Sequence, residues 1–113
     1  MWNRGDVVLV AFPHSNLTSY TQRPALIVQD LTVPTGLSQV VLALITSNLN
    51  RTGRTRVRVD RSSPEGRSMN LLTDSVVVAD NLQTVEDFAI LRKLGVCPVM
   101  DKVSAALRVT LGL

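Results

Sequence analysis

Apolar positions in this chain form short runs separated by turn-forming residues, and the period of the runs changes along the sequence. "DVVLVAF", residues 6–12, is rich in β-branched and aromatic residues, follows Gly5 and stops at Pro13, which predicts a strand. "SNLTSYTQ", residues 15–22, is polar and turn-prone, so a mobile loop is expected there. Pro24 then opens a second predicted strand through Val28, where a missing N–H is tolerated, and its unbroken apolar run implies burial on both faces. Beyond the turn signals of "TVPTGLS", residues 32–38, "QVVLALITS" from Gln39 to Ser47 is the third and most apolar strand.

After residues 48–53 the pattern alternates. "RTRVRVD" puts Arg54, Arg56 and Arg58 on one side of a predicted strand and Thr55, Val57 and Val59 on the other, a charged face backed by a core face. "SSPEGRSMN" reads as a loop, "SVVVAD" from Ser75 to Asp80 as a further strand, and "LQTVED" as a short bent continuation. The period then becomes helical. Pro98 suits a first helical position, Met100, Val103, Leu107 and Leu111 share one face, and Gly112 marks the end. Five or more short strands with one closing helix predict a mainly β fold, a small, strongly bent sheet or partly open barrel with a C-terminal α-helix.

Length and composition narrow the function classes. At 113 residues the chain suits one domain, 1–113, with a single core. One cysteine and one histidine rule out an internal disulfide framework and a Cys/His zinc site within a monomer, and Cys97 reads as a small buried apolar residue. The N-terminal apolar run is about seven residues long and carries Asp6, unlike a signal peptide or a span of roughly 20 apolar residues, so a cytoplasmic protein with no membrane partner is expected. Net charge is +3, but residues 51–67 alone hold six arginines with Asp60 and Glu65. That local basic stripe points to a polyanion, nucleic acid above all.

No phosphate-binding glycine loop, nucleophile elbow, metal-binding helix or paired-carboxylate motif is present, so an enzyme built on this chain works without a metal or organic cofactor. RNA cleavage meets that condition. RNA brings its own nucleophile, the 2′-hydroxyl, and the protein need only orient the backbone, move protons and stabilise charge. Arginine suits the last task because its planar fork holds two phosphoryl oxygens and stays charged. Arg23, directly before the apolar run "PALIV", is the arginine placed at the mouth of a predicted buried strand.

"GDVVLVAFP", "QRPALIVQD", "LALITSN", "SVVVADNLQTVED", "LGV" and "MDKVSAALRVTLGL", in this order and over essentially the whole chain, resemble the MazF/PemK family of toxin endoribonucleases. The resemblance implies an SH3-like partly open barrel, a homodimer, a cognate antitoxin that blocks the RNA groove, and metal-independent cutting of single-stranded RNA at short preferred sequences, leaving a 5′-hydroxyl. It assigns Arg23 as catalytic arginine and Thr46, in "ITS", as its partner. Arg23 is then expected to stabilise the phosphorane and Thr46 to donate to a non-bridging oxygen.

Asp80 matches an aspartate implicated in some members, but the arginine those members carry two positions earlier is Val78 here. His14, nine residues before Arg23, is a candidate base because an imidazole suits proton transfer near neutral pH. Tyr20 is a candidate for base stacking. Ser47, Asn48, Arg51, Arg54 and Arg56 are candidate RNA contacts, the arginines through phosphate. The alternatives to a nuclease are a gyrase-inhibitor-like toxin on a related barrel, disfavoured by the non-aromatic ending "VTLGL", and a degenerate homologue that binds without cutting.

Overall fold

The computed structural model describes every residue of the chain except Ser15 and Leu17, so the loop expected over residues 15–22 lies partly outside the described residues. Six strands, β1 (Asp6–Pro13), β2 (Tyr20–Ile27), β3 (Gln39–Thr46), β4 (Arg56–Val59), β5 (Ser75–Glu86) and β6 (Ile90–Val96), form one antiparallel sheet in the order β4-β5-β3-β2-β1-β6. Among the described residues, two α-helices, α1 (Pro64–Ser68) and α2 (Met100–Leu111), and a 3-10 turn at Asp87–Ala89 accompany the sheet, and α2 packs against β4 and β5 at one edge. The expected bent β sheet closed by a C-terminal helix is observed.

Both faces of the central strands are buried, as the unbroken apolar runs require. Neighbours in sequence go to opposite clusters. Val7, Leu26, Ala43 and Ile45 join Val57, Val77, Val103 and Ala106 beneath α2, whereas Val8, Val10, Ala25, Ile27 and Leu42 pack with Ile90 on the other side. Each fully buried Val, Leu or Ile among them contributes about 1.5–3 kcal/mol. Cys97 is buried in the first cluster, as expected, and Trp2 packs on the second while its indole N–H donates to Asp87 at 2.9 Å. β4 is shorter than expected, with Arg54 and Thr55 in the turn before it, but within it the alternation holds, with Val57 and Val59 buried and Arg58 exposed.

Several boundaries differ from expectation. β2 begins at Tyr20, not Pro24, because Tyr20 to Arg23 pair with Pro13 to Val10 of β1. Residues 63–68 are not loop: Ser63 caps α1 by accepting the Gly66 N–H at 3.0 Å, and Pro64 occupies the first turn. β5 runs without a break to Glu86, absorbing the bent piece through a bulge. α2 starts at Met100, two residues after Pro98, and ends on Gly112 at φ +70°. On α2, Val103 and Ala106 are buried, Met100 and Leu107 pack at the margin, and Leu111 is exposed rather than part of the stripe.

Candidate active site in the sheet opening

Pairing between β2 and β3 runs only from Ile27↔Leu42 to Ala25↔Leu44. Continuing that register would set Pro24 against Ile45 and Arg23 against Thr46, but the ladder stops. The reason is local. Val28 donates its N–H to the Val41 carbonyl at 3.2 Å, so by strand alternation the backbone groups of Leu26 and Pro24 also face β3. Proline has no N–H to give. β2 therefore stays paired to β1 through Tyr20 while its other edge separates from β3, and the sheet opens between Arg23 and Thr46.

Two clefts meet at this opening. The first, about 450 Å³, has an apolar floor that includes Leu9, Pro24, Ile45 and Leu94, with Arg23, Thr46, Ser47 and Arg92 around it. The second, about 400 Å³, is polar and is lined by Arg23, Thr46, Arg51, Arg56, Asp80 and Asn81. Arg23 and Thr46 border both. Among the described residues the Arg23 guanidinium has no hydrogen-bond or ion-pair partner.

Thr46 is oriented by its own turn. Its Oγ1 accepts the Asn48 N–H at 3.1 Å, which occupies a lone pair and leaves the hydroxyl hydrogen available to a ligand. Asn48 Oδ1 in turn accepts the Asn50 N–H at 3.1 Å, so Asn48 serves the turn that carries Thr46.

The polar wall of the second cleft comes from a bulge on β5. Leu44 pairs with Val78 and its neighbour Ala43 with Leu82, so residues 79–81 are extra on β5. Such insertions re-aim side chains, and here Asp80 and Asn81 face the cleft. Asp80 Oδ1 accepts from Arg56 Nε at 3.0 Å and Oδ2 from Arg56 Nη2 at 2.9 Å. Arg56 is the cross-strand partner of Val78. A guanidinium thus enters this cleft from β4, beside the position where β5 carries valine.

The other sequence candidates are elsewhere. His14 is paired with Ser19, just before β2 and four residues from Arg23, or roughly 13 Å of extended chain. Its Nδ1 contacts Ser19 Oγ at 2.7 Å and its Nε2 contacts Thr21 Oγ1, and it borders neither cleft. Tyr20 is 57% exposed in a separate groove with Phe12, Val85 and Phe88. Arg54 lies in a groove beside α2 with Lys102 and Arg108. Sequence reasoning missed Arg92, which pairs with Leu9 on β6, and Asn70, which also lines the first cleft at φ +57°. The detectable signal for Arg92 was "ILRKLGV", whose charges leave room for an edge strand.

The comparisons with known proteins agree with this fold. A solved endoribonuclease in complex with its cognate antitoxin, from a mycobacterial species, is 30% identical, with 100% of this chain and 97% of that chain covered and a TM-score of 0.74. The Mycobacterium tuberculosis toxin MazF-mt6 is 25% identical over 94% of this chain and 97% of its own, with a TM-score of 0.71. MazE-MazF from Deinococcus radiodurans, 17% identical over 99% of this chain and 96% of that one, shares the fold with a TM-score of 0.75. No curated protein sequence matches the chain. No helix among the described residues is long and apolar enough to cross a membrane. Residues 3–111 match the PemK-like, MazF-like toxins of type II toxin-antitoxin systems, and the chain belongs to that family.

Proposed function

We propose that this chain is an endoribonuclease toxin that cleaves single-stranded RNA without a metal ion, at preferred sequences, as a cytoplasmic homodimer restrained by a cognate antitoxin. The observation that supports the reading is the sheet opening beyond the last β2–β3 pair, where Arg23 and Thr46 both line two adjoining clefts. In the reaction, O2′ forms a bond to the adjacent phosphorus and gives up its proton. The bond to O5′ breaks, and O5′ takes a proton to become the 5′-hydroxyl. The products are that end and a 2′,3′-cyclic phosphate.

Arg23 balances the charge that builds on the phosphorane oxygens, where a preorganised donor acts far more strongly than in water. Thr46 donates its hydroxyl hydrogen to a non-bridging oxygen while accepting from Asn48. Arginine stays protonated, so Arg23 stabilises charge rather than abstracting the O2′ proton. Arg51 and Arg56 supply cations along the second cleft, and Ser47 supplies a hydroxyl to the first. Asn48 contributes through the turn. Arg54 and Tyr20 serve RNA beyond the cleavage centre, Arg54 by phosphate contact and Tyr20 by stacking on an unpaired base.

The test is cleavage of long single-stranded RNA by the purified protein in EDTA, with the new ends mapped, for the wild type and Arg23→Ala. Fragments with 5′-hydroxyl ends, and a loss of about a hundredfold or more in Arg23→Ala, are expected. Intact RNA over diverse substrates would remove the nuclease reading, and undiminished cleavage by Arg23→Ala would remove the site. Cleavage that survives in His14→Ala with an unchanged pH-rate profile would take His14 out of the chemistry. The antitoxin assignment fails if no acidic partner encoded beside this gene suppresses cleavage.

A further inference from the structure

The polar cleft contains a second guanidinium, and its surroundings fit a more specific task than general attraction of RNA. Resting on the ribonuclease reading, we propose that Arg56 is a second phosphate-binding group of the cleavage site, and that Asp80 is a positioning residue for Arg56 rather than a carrier of protons. Three contacts fix the Arg56 fork: Nε and Nη2 on the two Asp80 oxygens at 3.0 and 2.9 Å, and Nη1 on the Thr52 carbonyl at 2.9 Å. A guanidinium has five N–H donors, so two remain for a ligand. Arg56 and Asp80 retain 24% and 33% side-chain exposure, enough to meet a ligand in the cleft that Arg23 and Thr46 also line.

The contrast with the neighbouring arginines on the same strand pattern is informative. Arg58 turns back to Asp60 at 3.0 Å and is 54% exposed, and Arg54 borders the groove beside α2, which Arg56 also reaches. Of these three alternating arginines, only Arg56 reaches the polar cleft. Both Asp80 oxygens accept from Arg56, so the carboxylate holds the guanidinium fork in one orientation. Asp80 also offsets the charge of Arg56. The pair therefore acts through directed N–H donors more than through net positive charge, and what it confers is phosphate orientation with a modest gain in affinity.

Loss of one hydrogen-bonding arginine of this kind predicts a fall of about tenfold to a hundredfold in kcat/KM. The slope of log KM against log salt should change by about 0.7 or less, the value for one phosphate contact on a single strand. The experiment measures cleavage of an RNA that the wild type cuts, across a salt series, for Arg56→Ala, Arg56→Lys and Arg56→Ala combined with Val78→Arg. Thermal unfolding is measured on every variant. Arg56→Ala and Arg56→Lys should both be impaired, because lysine lacks the fork, and a folded double variant should regain activity because Val78 lines the same cleft.

Asp80→Asn should lower the rate evenly across pH. Wild-type rates in Arg56→Ala, with Arg23→Ala inactive, would overturn the proposal and leave the ribonuclease reading standing. Absence of cleavage by the wild type would instead overturn the reading beneath it. A loss in Arg56→Ala matched by unfolding, no recovery in a folded double variant, or the loss of a single pH limb in Asp80→Asn would each overturn the roles assigned to the pair.

Discussion

Replacing Thr46 with valine keeps the β-branched shape on β3 and removes only the hydroxyl. Two interactions end with it. The first is the proposed donation to a non-bridging phosphoryl oxygen, a contact strongest in the transition state, whose removal raises the barrier by about 3–4 kcal/mol and slows cleavage by roughly a hundredfold to a thousandfold. The second is the hydrogen bond from the Asn48 N–H, 3.1 Å long. Asn48 is exposed, so water replaces that acceptor and folding loses on the order of 1 kcal/mol or less. That corresponds to a few degrees in the unfolding midpoint. Single-turnover cleavage with saturating enzyme isolates the chemical step, and a thermal melt checks the fold. Thr46→Ser retains the hydroxyl and should stay within about tenfold of wild type. If Thr46→Val cleaves as fast as Thr46→Ser, the hydroxyl does not touch the reacting phosphate and Thr46 has no part in the chemistry.

Gly95 lies against the α1 end, where a Cβ would collide with the Ser68 carbonyl oxygen and come within 2.7 Å of the Met69 carbonyl carbon, so Gly95→Ala should destabilise the fold by about 1–3 kcal/mol in urea titrations. Burial pushes the Cys97 thiol up. Its contribution to stability is complete below the unfolded thiol's pKa and is lost as pH rises toward the raised folded value, so stability should fall more steeply between about pH 8 and 10 in the wild type than in Cys97→Ala. The same burial predicts slow reaction of Cys97 with a thiol reagent under native conditions and fast reaction once unfolded. Arg58 and Asp60 are both more than half exposed, so Arg58→Ala should change stability by less than about 1 kcal/mol.

The strands that carry both clusters were legible because their apolar runs are unmistakable: burial on two faces leaves no polar position in "VVLV", "ALI" or "VVLALI". Gly112 marked the end of α2 because a left-handed cap favours glycine. The first half of β2 was not legible. It is paired on one edge only, and "YTQR" keeps the polarity of a loop while taking the geometry of a strand. α1 was hidden by its length, although Ser63 followed by Pro64 is a helix-start signal. At the candidate site, Arg23 and Thr46 stood out by their motifs. The bond between Arg56 and Asp80 was not, because the two are 24 residues apart and meet only through the β4–β5 register and the bulge at residues 79–81.

An opening within a sheet amounts to two edge strands facing each other, and such edges tend to zip shut or to recruit foreign strands. Pro24 works against both outcomes. With no N–H toward β3, it offers neither Ile45 nor an intruding peptide the next rung of a ladder, while its backbone stays in the extended form that β1 requires. A residue with an N–H at this position would let the sheet advance by a rung and draw Arg23 toward Thr46. The gap proposed to admit RNA would then narrow without any change to the residues that line it. Pro24 is in this sense a spacer acting by what it lacks, and it converts a potential aggregation edge into a permanently open doorway.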